Sequence, residues 1–189
     1  MGVARTPREA WIEQGLQTLV DSGVEAVRIE VLAKRLGVTK GGFYGYFPDR
    51  ATLLEAMLDV WEHESTDEVL ETIALEDDPR DRITLAGQLT LSPSRLLAID
   101  LAIRDWARRD ESVAARLRRV DDRRMALLRE TIGTFCSDPD EIEARSLLAF
   151  CLAIGNQFLA ADHGPGRTRA QVLARAAAIL LDRPAEPDR

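Results

Sequence analysis

Residues 32–50 read Leu-Ala-Lys-Arg-Leu-Gly-Val-Thr-Lys-Gly-Gly-Phe-Tyr-Gly-Tyr-Phe-Pro-Asp-Arg, and they hold the most informative pattern of the chain. Apolar residues spaced four apart in its first part predict a helix. Gly37 is expected to end that helix, because glycine adopts the left-handed conformation at little cost. Thr39 is predicted to cap a second helix, in which Phe43 and Phe47 share the inward face. Two helices joined by so short a turn form a helix-turn-helix, which predicts DNA binding.

The outward face of the second predicted helix carries the candidate DNA contacts. Lys40 lies at the second position of this helix, where an ammonium group meets a phosphate or a guanine edge. Gly41 and Gly42 are predicted to leave the surface bare for the groove, although each lowers helix stability by up to about 1 kcal/mol relative to alanine. The hydroxyl groups and helix-start cations suited to phosphate contacts are Arg28, Thr39, Tyr44, Tyr46 and Arg50. For Tyr46, packing in the small core is the alternative.

This stretch resembles the tetracycline-repressor (TetR) family of bacterial transcription regulators, whose DNA-binding domain carries a similar Gly-Val-Thr/Ser-Lys-Gly-x-Phe/Leu-Tyr-x-x-Phe run. The resemblance covers residues 7–58. It departs at Arg28, where many members have Thr or Ser. The resemblance implies a dimeric regulator, usually a repressor, that binds an inverted-repeat DNA operator and releases it when a small-molecule effector enters the body of each subunit. It also implies a helix-turn-helix DNA-binding domain over residues 1–50 and a helical effector-binding and dimerisation domain over residues 51–189.

Helix-start signals recur along the chain, and the alternation of period two that marks strands is absent. A capping residue precedes a proline at four predicted helix starts, which are Thr6-Pro7, Asp78-Pro79, Ser92-Pro93 and Asp138-Pro139. Further helices are predicted in the helix-turn-helix, from Asp49, near Asp110, and between Gly166 and Pro184. The sequence therefore predicts an all-α protein of about nine helices, in which the long helix from Asp49 to about Glu76 links a three-helix head to the body.

The net charge of −7 is distributed unevenly along the chain. Residues 1–50 hold seven of the 25 basic residues and six of the 32 acidic ones, so the remainder is strongly acidic. An acidic body repels nucleic acid, which is expected to concentrate phosphate affinity on the N-terminal face. Both lysines, Lys34 and Lys40, fall in the helix-turn-helix, although a general preference for arginine explains their scarcity equally well.

Composition also excludes several classes of protein. A chain of 189 residues with 46% hydrophobic content can bury a core, so disorder is not expected. The sequence has no apolar run of 18 residues and no charged-then-apolar leader, which predicts a cytoplasmic protein without membrane partners. Cys136 and Cys151 lack the spacing of a metal site and are predicted to be buried free thiols.

The predicted helix from Asp138 to His163 has two apolar faces, of which one is expected to lack a cover within the subunit. The helix that follows is rich in small residues. We expect a homodimer interface formed by Leu148, Leu152, Gly155, Leu159, Leu173, Ala176, Ala177 and Leu180. Burial of this helix within a monomer is the alternative.

An effector pocket is expected to have apolar walls with a few convergent polar groups. The candidate residues for it are Asp100, Ile103, Arg104, Trp106, Asp121, Arg124, Phe150 and Gln157. The alternative is that the charged residues form interhelical ion pairs and that Gln157 is a satisfied core amide.

Enzymatic chemistry has little support in the sequence. His63 and His163 stand alone, without a second ligand at metal spacing, and neither a Gly-rich phosphate loop after a strand nor a nucleophile elbow is present. We therefore expect no catalytic residue, cofactor or metal site. Two rivals to an effector-controlled regulator remain, namely an architectural DNA-binding protein with a filled core and a helical enzyme or interaction module.

Overall fold

The computed structural model describes residues 7–75, 85 and 94–182. All regular structure in these residues is helical, which confirms the all-α prediction for this part of the chain. The helices are α1 (Arg8–Ser22), α2 (Ile29–Arg35), α3 (Lys40–Phe43), α4 (Arg50–Ala74), α5 (Arg95–Ala107), α6 (Glu111–Gly133), α7 (Pro139–Gly155) and α8 (Arg169–Leu181), with a 3-10 turn at Val24–Ala26. The helix predicted from Asp78 lies outside the described residues.

Side-chain caps explain where several of these helices begin. Asp138 accepts hydrogen bonds from the backbone N–H groups of Asp140 and Glu141, so α7 starts as the Asp-Pro signal predicts. The start predicted from Ser92-Pro93 is wrong by two residues, because the hydroxyl of Ser94 accepts from the N–H of Leu97 and begins α5 there.

The predicted extent of α7 to His163 is also wrong, since the helix ends at Gly155. Glycine and the following Asn156 are poor helix formers, and the connection finds other partners. The guanidinium of Arg169 donates to the carbonyl oxygens of Asn156 and Ala161, at 3.0 Å each. Backbone groups that a longer helix would pair internally are thus satisfied by a side chain of the next helix.

The chain divides into two compact units. The head unit is Met1–Glu68 with Pro93–Val120, and the second unit is Val69–Ser92 with Asp121–Arg189. The head unit extends beyond the domain boundary predicted at residue 50, because α4 and α5 bury apolar side chains in the same core as α1 and α3. The largest fully buried members of that core include Trp11, Phe43, Phe47, Met57, Trp61, Ile99 and Ile103.

Ion pairs on the surface of the head unit join the same helices. Arg95 of α5 pairs with Glu13 of α1 and with Glu64 of α4. The hydrogen bond from Arg95 holds the pKa of the Glu13 carboxyl below its ordinary value. Arg116 of α6 pairs with a stripe of acids on α4, namely Glu55, Asp59 and Glu62. These contacts join α4 to α5 and α6, and α5 to α1.

The second unit packs α7 against α8. Ser146 and Ala153 lie buried on one side of α7. Arg145 donates to the carbonyl oxygens of Leu180 and Asp182, at 2.5 and 2.7 Å, and so pairs carbonyl groups at the end of α8. Cys136 is buried, as predicted, whereas Cys151 is exposed, so the prediction of two buried thiols is wrong for Cys151. None of the described helices has the length and apolar character needed to cross a membrane.

Candidate nucleic-acid interface

The turn between α2 and α3 closes around Gly37, which has φ +69°. The N–H of Gly37 donates to the carbonyl of Lys34 at 3.2 Å, and the N–H of Val38 donates to that of Ala33 at 3.0 Å. This pair of bonds is a Schellman motif, in which a left-handed glycine satisfies the last carbonyls of a helix. The helix-turn-helix predicted from the sequence is therefore present, with Gly37 in its expected role.

The inward face of the recognition segment is aromatic. Phe43 and Phe47 are buried, and the Phe43 ring meets Trp11 edge to face at 5.4 Å between centroids. A Cβ at Gly42 would lie 3.8 Å from the Trp11 ring, so Gly42 faces this cluster and the prediction that it faces outward is wrong. Tyr46 is half-buried and packs on the same core, as its alternative interpretation holds.

The outward face of α3 presents Lys40, Gly41 and Tyr44, all exposed. Tyr44 keeps 58% of its surface exposed, while its ring contacts Phe43 edge to face. The regular helix is short, because residues 44–46 form a turn. Thr39 occupies the N-cap position with extended backbone but makes no side-chain cap hydrogen bond, so its hydroxyl is not used for capping.

Two arginines predicted to contact phosphates differ in their surroundings. Arg50 is half-buried, and its guanidinium donates to the carbonyl oxygens of Val27 and Val24 at 2.6 Å each. It therefore holds the segment before α2. Arg28 is exposed at the start of α2, where its Nε donates to the carbonyl of Glu25 at 3.0 Å. Arg28 remains a candidate for phosphate contact, and Arg50 is mainly structural.

Sequence reasoning does not single out Glu30, which the structure places against Lys40, one of the predicted DNA contacts. The Lys40 ammonium donates to its carboxylate at 2.6 Å, from the first residue of α3 to the first turn of α2. The two residues lie ten positions apart on different helices, so no helical spacing rule connects them. The sequence signal that could have indicated Glu30 is its position as an acidic residue among the basic residues of the predicted DNA-binding face.

The candidate effector residues divide between the two units. In the head unit, Asp100, Ile103 and Trp106 are buried, and Arg104 is half-buried. The carboxylate of Asp100 accepts from Trp61 Nε1 at 3.2 Å and from Arg104 Nε at 2.9 Å. Asp100 is thus satisfied in the core, as the alternative holds, but its ion pair with Arg104 lies within α5 rather than between helices. Of these two contacts, the Trp61 hydrogen bond is the one that joins two helices.

In the second unit, the remaining candidates are half-buried, and they are Asp121, Arg124, Phe150 and Gln157. Asp121 and Arg124 form an ion pair at 3.8 Å within α6.

The head unit contains a pocket of about 210 Å³ between residues 22–25 and α5. Of the candidate effector residues, Trp106 lines this pocket.

The candidate dimer residues also differ in exposure. Leu148, Gly155 and Leu159 are exposed, although Leu159 lies beyond the end of α7. On α7, Leu147 is exposed as well, at 54%. Leu152 and the four residues predicted on α8 are half-buried within the single chain, and these four are Leu173, Ala176, Ala177 and Leu180. The exposed large apolar residue of α8 is instead Ile179, at 57%.

No group of three or more potential metal ligands occurs among the described residues. His63 pairs with Asp67 of the same helix, at 3.0 Å between Nδ1 and the carboxylate oxygen.

Comparison with known proteins agrees with this geometry. Residues 12–57 match the sequence model of the tetR family of bacterial regulatory proteins. This N-terminal segment is similar to the tetR family. The matched segment runs from α1 into α4 and includes the whole helix-turn-helix. The predicted resemblance over residues 7–58 is thereby confirmed for the matched residues.

One curated relative matches about half of the chain. The chain is 30% identical over 92 residues to the nucleoid occlusion factor SlmA of Vibrio atlanticus (strain LGP32), covering 48% of this chain and 47% of that protein. The chain thus spans about half the length of this relative.

The fold is shared with solved structures of low sequence identity. A putative transcriptional regulator from Saccharomonospora viridis, solved in complex with choline, has a TM-score of 0.69 and 18% identity, covering 92% of both chains. AibR, solved in complex with isovaleryl coenzyme A and operator DNA, has a TM-score of 0.63 and 14% identity, covering 91% of this chain and 95% of AibR. At these identities the similarity shows the fold.

Proposed function

We propose that this chain is a sequence-specific transcriptional regulator, most simply a repressor, whose α3 enters the major groove of operator DNA. The observation that carries the proposal is the Schellman turn at Gly37, which joins α2 to an α3 with a bare, basic outward face. Phosphate contacts set the affinity of such proteins, and side chains at base edges set their specificity. Lys40 and Tyr44 are exposed side chains of the recognition segment suited to these two roles, and Arg28 at the start of α2 is a further candidate for phosphate contact.

The test replaces Lys40 by alanine and measures binding to a duplex that the protein selects from a random pool. We expect specific binding to weaken by about 1 to 3 kcal/mol if Lys40 reads a base. If it holds a phosphate, we expect the salt slope to fall by about one instead. Lys34→Ala is the matched control, because it removes the same charge from the exposed surface of α2. Unchanged affinity in Lys40→Ala, together with binding indifferent to sequence, would contradict the proposal.

The regulator is proposed to act as a homodimer through α7 and α8. Support comes from the exposed large apolar side chains on α7, on α8 and just after α7, which are Leu147, Leu148, Phe158, Leu159 and Ile179. Large apolar side chains left exposed on a single chain offer surface that a partner can bury. A two-fold dimer presents two recognition helices and therefore reads an inverted repeat.

Release by a small-molecule effector is the regulatory part of the proposal. The choline and isovaleryl coenzyme A complexes of two proteins with this fold support it. By linkage, an effector lowers operator affinity by the same factor by which operator lowers effector affinity, typically about 5- to 150-fold. Titrating candidate effectors with and without operator tests this. A ligand that binds equally well in both titrations would favour the alternative of an architectural DNA-binding protein with a filled core. The burial of Asp100 and Ile103 also favours that alternative.

A further inference from the structure

The ion pair between Glu30 and Lys40 lies on the surface proposed to meet DNA. The distance from Lys40 Nζ to Glu30 Oε1 is 2.6 Å, and the two side chains keep 55% and 61% of their surface exposed. The hydrogen bond from Lys40 holds the pKa of the Glu30 carboxyl below its ordinary value, so the carboxylate is charged at neutral pH. A negative charge on this face repels phosphates.

Stability does not account for this pair. Exposed ion pairs contribute little to folding, because solvent screens them and two long side chains lose freedom. The packing of α3 on α2 is already set by the turn at Gly37 and by buried residues such as Leu32 and Phe43. The contact therefore invites an explanation in DNA binding rather than in folding.

We propose that Glu30 is a positioning residue that holds the Lys40 ammonium and thereby raises the selectivity of the regulator for its operator. This inference rests on the proposed DNA-binding function. An ammonium group has three donors, and one of them is occupied by Glu30. The others remain for an acceptor pair such as guanine O6 and N7.

The expected benefit lies in weaker binding to the wrong sequences. Binding to non-specific DNA resides almost entirely in phosphate contacts. To contact a phosphate, Lys40 must first break its ion pair with Glu30, and this cost weakens phosphate binding on DNA of any sequence. At the operator, the base edge contacts Lys40 in the position where Glu30 holds it, so the ion pair is kept and the cost to binding is smaller. Loss of Glu30 should thus release Lys40 for phosphates in any sequence.

The experiment measures dissociation constants of Glu30→Gln for the selected operator and for a scrambled duplex of equal length. We expect binding to the scrambled duplex to tighten about two- to fivefold, as for loss of one exposed ion-pair contact. Operator binding should change less, so the ratio of the two constants falls. Asp21→Asn is the matched control, since Asp21 is an exposed acid of the same head unit whose ion-pair partner, at 3.2 Å, is Arg35 of α2 rather than Lys40.

A second arm repeats Glu30→Gln in a Lys40→Gln background, because a residue that acts through another loses its effect when that partner is removed. We expect no effect on the ratio in that background. Equal effects of Glu30→Gln and Asp21→Asn, or the same effect with and without Lys40, would overturn the inference and leave the proposed function standing. A wild-type protein with no preference for any duplex would overturn both. Circular dichroism verifies that each variant is folded.

Discussion

Arg50 holds the segment before α2 through the carbonyl oxygens of Val27 and Val24, both at 2.6 Å. A buried carbonyl that loses its donor is left unsatisfied, which destabilises the fold. We therefore expect Arg50→Gln to lower the free energy of unfolding by about 1 to 3 kcal/mol. Urea denaturation measures this, with Arg28→Gln as the control.

Arg50→Lys should recover only part of that loss, because an ammonium group lacks the planar fork that serves two acceptors at once. Arg28 is exposed and donates to one carbonyl, so its replacement should change stability by less than about 0.5 kcal/mol. Equal stability losses in Arg50→Gln and Arg28→Gln would show that the two carbonyl contacts add nothing specific.

These residues show what the sequence could and could not predict. Gly37 is predictable because its role is local: a left-handed turn requires glycine, whatever lies around it. The role of Arg50 is not, because its acceptors are backbone carbonyls 23 and 26 residues away, which carry no sequence signal. The outward orientation predicted for Gly42 is wrong for a similar reason, because Gly42 faces Trp11, which comes from another helix.

At the scale of helices, α1 and α4 approach closely at Gly15. A Cβ built there would lie 2.6 Å from the sulfur of Met57, which is fully buried. At Gly41 the nearest atom to such a Cβ is Thr39 Oγ1, at 3.7 Å, which is ordinary contact. One substitution, glycine to alanine, thus meets a packed core at one position and an open surface at the other.

We expect Gly15→Ala to destabilise the fold. The cost of overpacking the core, about 1 to 3 kcal/mol, exceeds the gain in helix propensity of up to about 1 kcal/mol. Gly41→Ala should stabilise the fold by up to that propensity gain, while weakening DNA binding through its added methyl group. Thermal unfolding and DNA titration of both variants measure this. A stabilised Gly15→Ala would mean that Met57 moves aside without loss.

Helix identity was largely predictable from the sequence, and helix ends were less so. The Asp-Pro signal at Asp138 predicted the start of α7, because the cap and the proline act within one turn. The end of α7 depends on Arg169, which reaches back from the next helix, and apolar periodicity in residues 156–163 concealed the break. Side-chain contacts between helices therefore decide what local pattern leaves open.

At the scale of the whole molecule, α4 and α6 each contain residues of both compact units. The sequence anticipated one long linking helix and placed the domain boundary at residue 50, before α4. The boundary shifts because burial, rather than function, defines a compact unit: Leu53, Met57 and Trp61 of α4 lie in the head core. Which residues line an effector site was not predictable, since it depends on how distant helices meet.

Selection of binding sites from a pool of random DNA duplexes, followed by sequencing, is the most direct test of sequence recognition by α3. A dimer that inserts two copies of α3 is predicted to enrich one two-fold symmetric sequence. Its half-sites should be centred about one helical turn, or 34 Å, apart. With the Lys40→Ala variant, the preference for particular bases within each half-site should weaken. A pool that stays random, or a single asymmetric motif bound by a monomer, would contradict the account.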